Sequence, residues 1–145
     1  WQFIEISLQS REFYTQLNSQ EKIKVIVDLP IGNIFSDVAT GAKDKYIDST
    51  YMLWAATLHD KKILNGNSGY IPDEYINRSK LLNFNFPTIS KLNSLKEWGV
   101  DGIVLHKDNY KNSKEYERVK LGLEDLGVEI IGQTDNLILF DLTEW

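Results

Sequence analysis

Lys24-Val25-Ile26-Val27-Asp28-Leu29-Pro30 is the stretch whose reading decides the fold. Val25, Ile26 and Val27 are β-branched in succession, which favours extended backbone, and the run is brief, apolar and stopped by a proline. That is the pattern of a strand buried on both faces. Such a strand needs a layer on each side, so the flanking sequence is read for the helices that would supply them.

Downstream, the polar stretch Ile31 to Tyr46 contains glycine and leads to Asp48 or Ser49, either of which can N-cap a helix. Met52, Ala55, Ala56 and His59 then recur at helical spacing, and Tyr51, Trp54 and Leu58 widen that apolar face. A short strand over Lys62 to Leu64 runs into Asn65-Gly66-Asn67-Ser68-Gly69-Tyr70-Ile71-Pro72, a loop by its breaker residues. Asp73 to about Asn83 reads as a short helix. Thr88 caps the next one, with Ile89, Leu92, Leu95 and Trp98 on its apolar side and Gly99 at its end. Asp101 to His106 is a second buried strand. Ser113 is expected to cap a helix whose Tyr116, Val119, Leu123 and Leu126 keep the 3.6-residue period until Gly127. Val128 to Gln133 and Leu137 to Leu142 are strand-like runs around Thr134-Asp135-Asn136, a terminal hairpin. At the front, Ser10 is expected to cap a helix through Phe13 and Leu17, after an extended lead-in from Gln2 to Leu8.

Strands alternating with helices predict a single α/β domain over residues 1–145. Its sheet should be mostly parallel and flanked by helices, Rossmann-like or flavodoxin-like, with the closing hairpin adding an antiparallel edge. A chain of 145 residues, 42% apolar with four Trp, seven Tyr and six Phe, fills one core and not two. The formal charge of −5 and the lack of any Lys/Arg block argue against a nucleic-acid partner, because neutralising phosphates takes clustered cations. With no cysteine there is neither a disulfide nor a thiolate nucleophile. The apolar runs are far shorter than the roughly 18 to 20 residues that span a bilayer. The sequence opens at Trp1 without a signal-peptide pattern, and is read as a piece of a longer chain.

In open α/β sheets ligands bind outside the carboxyl ends of the strands. Asp28, Asn65 and His106 fall at predicted strand ends, and with His59 and Asp108 they mix carboxylate, amide and imidazole near one edge. Such a set could hold a divalent metal or supply a general base with its orienting acid. It could equally be structural: His59 as a packed helix-end residue, His106 as a hydrogen-bonded strand end, Asp28 as an acceptor for backbone N–H groups. The Asn65 to Pro72 loop lacks the glycine patterns of a phosphate cradle, and Ser68 has no nucleophile-elbow context. Tyr51, Trp54, Tyr70 and Tyr75 bracket that loop and would suit either stacking on a sugar or anchoring the loop to the core. The candidate substrate-binding set is therefore Asp28, His59, Asn65, Ser68, Tyr70 and His106, with no resident metal or other cofactor expected.

Several of these segments also carry a family resemblance: Val25-Ile26-Val27-Asp28-Leu29-Pro30, Tyr51-Met52, Thr57-Leu58-His59-Asp60-Lys61, Asn65 to Pro72, and Trp98-Gly99-Val100 with the strand to His106. Together with the Phe13-Tyr14 helix, they resemble the C-terminal soluble domain of polytopic bacterial membrane proteins of the GT-C glycosyltransferase type. These include dolichyl-phosphate-mannose-type mannosyltransferases and uncharacterised relatives. Relatives usually have Glu before Leu-Pro where this chain has Asp28, and its Lys/Asn-rich composition departs from Arg-rich members. The resemblance implies an extracytoplasmic α/β module tethered through an upstream membrane region of the same polypeptide. Sugar transfer from a lipid-linked donor then uses acidic residues in loops between the membrane helices. The present segment would be an accessory that helps hold a sugar or polyprenyl-phosphate-sugar. The competing expectation is a free-standing metal-dependent hydrolase or transferase built on Asp28, His59, His106 and Asp108. A nucleotide-binding domain is disfavoured by the missing Gly-rich turn after the first strand.

Overall fold

A computed structural model describes residues 7–31, 55–64 and 73–145. In chain order these residues form α1 (Leu8–Ser19), β1 (Val25–Leu29), β2 (Lys62–Ile63), α2 (Asp73–Asn83), α3 (Ile89–Glu97), β3 (Gly102–His106), a 3-10 turn (Lys107–Asn109), α4 (Ser113–Asp125), β4 (Glu129–Gln133) and β5 (Leu137–Asp141). No described helix is long and apolar enough to cross a membrane.

The strands form one five-stranded sheet in the order β2-β1-β3-β5-β4. β1 pairs in parallel with both β2 and β3, whereas β5 runs antiparallel to both β3 and β4. The sheet is thus mixed, with β5 alone reversed. The terminal hairpin supplies the antiparallel edge that the sequence suggested. Its second strand inserts beside β3, and its first strand becomes the edge. The reason is apolarity. Leu137 to Phe140 are buried on both faces, while Glu129 and Gln133 of β4 are exposed, so β5 is the strand that gains from a central place.

Helices cover both faces. On one, Val27, Leu29, Ile103, Leu105, Ile138 and Phe140 meet Leu82 of α2, Leu92 and Leu95 of α3, and Tyr116, Val119 and Leu123 of α4. On the other, Ile26, Val104, Leu137 and Leu139 meet Phe13, Tyr14 and Leu17 of α1, together with Ala55. The period-two alternation of β1 and β3 therefore sends successive residues into different cores.

Helix ends show how local the instructions are. Ser7, and not Ser10, caps α1, its Oγ accepting the Ser10 N–H at 3.2 Å. Asn112, and not Ser113, caps α4, its Oδ1 accepting the Glu115 N–H at 2.9 Å. In both places two adjacent or nearby cap formers compete, and the winner is the residue whose backbone is still extended. Thr88 caps α3 as expected. α3 and α4 end alike: Gly99 and Gly127 take φ of +76° and +79°. The following Val100 and Val128 N–H groups reach back to Leu95 O and Leu123 O, each at 3.0 Å. This is the Schellman arrangement, which a left-handed glycine makes cheap. Ile89, counted on the apolar side of α3, is 59% exposed. It occupies the first helical position, where the turn has not yet come round onto the sheet. In the 55–61 segment only Ala55 is helical, and residues 56–58 turn, so His59 lies beyond the helix rather than at its last turn. Leu8, expected to end an extended lead-in, is already helical, and residues 2–6 of that lead-in lie outside the described residues.

Candidate functional site

The site grows from strand parity. Asp28 shares a face with Ile26, and His106 shares one with Val104, so both side chains enter the layer under α1. In the β1–β3 register Asp28 lies opposite Val104, which places His106 two residues further along the neighbouring strand. That diagonal is within reach of a carboxylate and an imidazole. The His106 Nε2 to Asp28 Oδ1 distance is 2.6 Å. An ionised carboxylate only accepts, so Nε2 carries the proton and donates. Asp28 is 2% exposed and His106 3%.

His59 lies in the segment ahead of β2. It is 3% exposed, and its ring lies over Tyr14 of α1, centroids 5.6 Å apart. The Lys61 backbone N–H donates to His59 Nδ1 at 3.2 Å. A neutral imidazole that accepts at Nδ1 carries its proton on Nε2, and that buried Nε2 has no hydrogen-bond partner among the described residues. Burial lowers the pKa of His59 below the ordinary imidazole value and so keeps it neutral. Asp28 and Asp60 oppose this, and Lys61 reinforces it. The segment is fastened to α1 by Lys61, whose Nζ donates to Asn18 O at 3.1 Å and Gln20 O at 2.9 Å, and by the Asp60 N–H to Asn18 Oδ1 at 3.2 Å. A lysine ammonium on the last carbonyls of a helix meets both their unfilled valence and the negative end of the dipole.

Asp28 and His106, far apart in sequence, thus come together, and His59 lies near enough to feel the charge of Asp28. Asp108 does not join them: it lies on the exposed 3-10 turn, where its N–H donates to Asn136 Oδ1 at 3.0 Å. Asn65, Ser68 and Tyr70 lie outside the described residues, as do Tyr51 and Trp54. Among the described residues no three His, Cys, Asp or Glu side chains form a group able to hold a metal ion. A direct nitrogen–oxygen contact of 2.6 Å also leaves no room for an ion about 2 Å from each atom in the near-tetrahedral arrangement of a zinc centre.

Sequence reading missed several residues that organise the two ends of β1. Asp101 Oδ2 accepts the N–H groups of Lys24 and Val25 at 2.8 and 2.9 Å and so anchors the start of β1 to the start of β3. Asn83 clasps the chain leaving β1, accepting Ile31 N–H at 3.0 Å and donating to Ile31 O at 2.7 Å. A crevice at the end of β1 is lined by Leu29, Pro30, Asn83, Phe86, Tyr110 and Arg118. Two of its polar members already serve the fold, since the Arg118 Nη1 donates to Phe86 O at 2.7 Å and Asn83 is committed to Ile31. An Asp at the first position of a predicted buried strand and an Asn closing a predicted helix were the only signals available for Asp101 and Asn83.

Comparison with known proteins finds no family model, no curated protein and no solved structure that matches the chain.

Proposed function

We propose that the chain is a non-catalytic extracytoplasmic module of a membrane glycosyltransferase-like protein of the GT-C type, helping to position a sugar or lipid-linked sugar. The reading rests on the resemblance of its segments, and one observation carries it further. The carboxylate before Leu-Pro, the most reactive group in those segments, is buried and hydrogen-bonded to His106. Asp28 is thereby committed to joining β1 to β3, the role of a residue that builds an accessory domain and not one that attacks substrate. Trp98-Gly99-Val100 serves likewise, closing α3 and feeding β3. Parallel pairing of β2, β1 and β3 in the order 2-1-3 supports a Rossmann-like or flavodoxin-like reading of that half of the sheet.

Activity of the isolated chain is the test. Incubated with polyprenyl-phosphate sugars and candidate acceptors, it should release no product, while the full-length membrane protein transfers sugar. Reporter fusions at the chain's end should place it on the extracytoplasmic side. Turnover by the isolated chain, or a full reading frame without membrane spans, would overturn the proposal.

A further inference from the structure

We propose that His59 is an acid-sensitive latch that holds the segment leading into β2 against α1 and lets it go when the imidazole gains a proton. This stands independently of the glycosyltransferase reading. The argument begins with the Lys61 N–H to Nδ1 bond. Nδ1 is the only ring nitrogen of neutral His59 that can take a proton, because Nε2 already has one. Protonation turns the acceptor at Nδ1 into a donor that faces another donor, so the bond that fastens the ring to its own segment becomes a repulsion. The new cation would also lie in a buried site that already leaves Nε2–H without a partner among the described residues.

The charged and titratable groups facing His59 come from each packed element. Asp28 of β1 attracts the cation, but its Oδ1 is already taken by His106 of β3. Tyr14 of α1 offers a ring face. Within the segment, Asp60 attracts and Lys61 repels. Burial outweighs the attractions, so the proton is accommodated best after the segment has left the interior.

The segment is built to leave as a unit. Beyond His59 it is held by Lys61 on the α1 carbonyls and by the Asp60 N–H on Asn18. It continues into β2, a two-residue edge strand on β1. Local opening of such short, edge-paired pieces is the least costly in a domain. Release exposes the side of α1 that carries Tyr14.

Hydrogen exchange of the wild-type chain reads the latch directly. Because burial lowers the pKa of the held His59 while a released one titrates at the ordinary 6.5, the open population rises by up to about 25-fold between about pH 7 and about pH 5. After correction for intrinsic rates, the amides of 59–64 should lose protection by that factor while those of β3 and β5 do not. In the His59→Gln variant, which offers an amide in place of the imidazole, the pH dependence of this segment should vanish. Imidazole NMR of the wild type supplies an independent reading: His59 should titrate below the ordinary imidazole value, together with the loss of protection. Unchanged protection at acid pH, an ordinary His59 titration with the segment still closed, or an undiminished pH response in His59→Gln would each overturn the latch.

Discussion

Truncating Asp28 tests the buried pair at the centre of the fold. Asp28→Ala leaves His106 in a site 3% exposed without the carboxylate that accepts its Nε2–H at 2.6 Å. Removing one member of a buried charge-assisted pair costs about 3–5 kcal/mol, because desolvation of the survivor is no longer compensated. His106→Ala should cost a similar amount, since it removes the charge-assisted donor at 2.6 Å from the buried carboxylate. Asp28→Asn keeps an acceptor oxygen and nearly the same volume, and should lose only about 1–2 kcal/mol, the difference between a charge-assisted and a neutral hydrogen bond. The double alanine variant strands neither group, so its loss should fall short of the sum of the singles by about 2–3 kcal/mol. Urea unfolding near neutral pH, followed by tryptophan fluorescence, measures all four. For a domain of this size each kcal/mol is about 2–4 °C in Tm, so Asp28→Ala should be visible by calorimetry as well. Losses that add within about 0.5 kcal/mol would refute the reasoning, because independent costs mean the two side chains do not depend on each other.

Other substitutions probe packing and capping. Gly122→Ala places a Cβ 2.8 Å from Pro87 Cγ and 2.9 Å from Pro87 Cδ. The clash of about 1–3 kcal/mol should exceed the roughly 1 kcal/mol helix-propensity gain, so urea midpoints should fall; a stabilised variant would show that the 86–88 turn gives way freely. Asn112→Ala should cost about 1 kcal/mol and Ser113→Ala less than about 0.5, reversing the order expected from sequence; equal losses would mean the α4 cap is shared. Lys61→Met keeps the stem and removes the ammonium from Asn18 O and Gln20 O. It should cost about 1–2 kcal/mol in thermal or urea unfolding, and faster exchange at the end of α1 should accompany it.

Much of the architecture was legible because its signals are local. Three β-branched residues before Leu29-Pro30, the periodic Tyr116, Val119 and Leu123, and the glycines at 99 and 127 each state a rule that near neighbours enforce. The bounds of α2 and the two hairpin strands were readable for the same reason. Which of two polar residues caps a helix was not, because Ser7 and Ser10, or Asn112 and Ser113, differ only in the backbone each adopts. The place of β5 was also hidden. A hairpin names its own partner strand but is silent on which side then meets the rest of the sheet.

The candidate site divides along the same line. That Asp28 and His106 sit near the ends of buried strands follows from where the apolar runs stop. Their meeting depends on β1 lying beside β3 with the observed register, and on parity placing both under α1. In strands buried on both faces the usual alternation of polar and apolar residues is lost, so nothing in VIVDL or GIVLH tells one face from the other. The two polar side chains are themselves the only asymmetry. Each meets the other in that layer, so strand order and side-chain chemistry specify one another: a register slip by one residue would separate them and send Asp28 or His106 into the core under α2, α3 and α4, against Leu92 and Leu95. The pair thus penalises the misregistered sheet more heavily than it rewards the native one, which is a structural reason for a domain to keep a buried carboxylate.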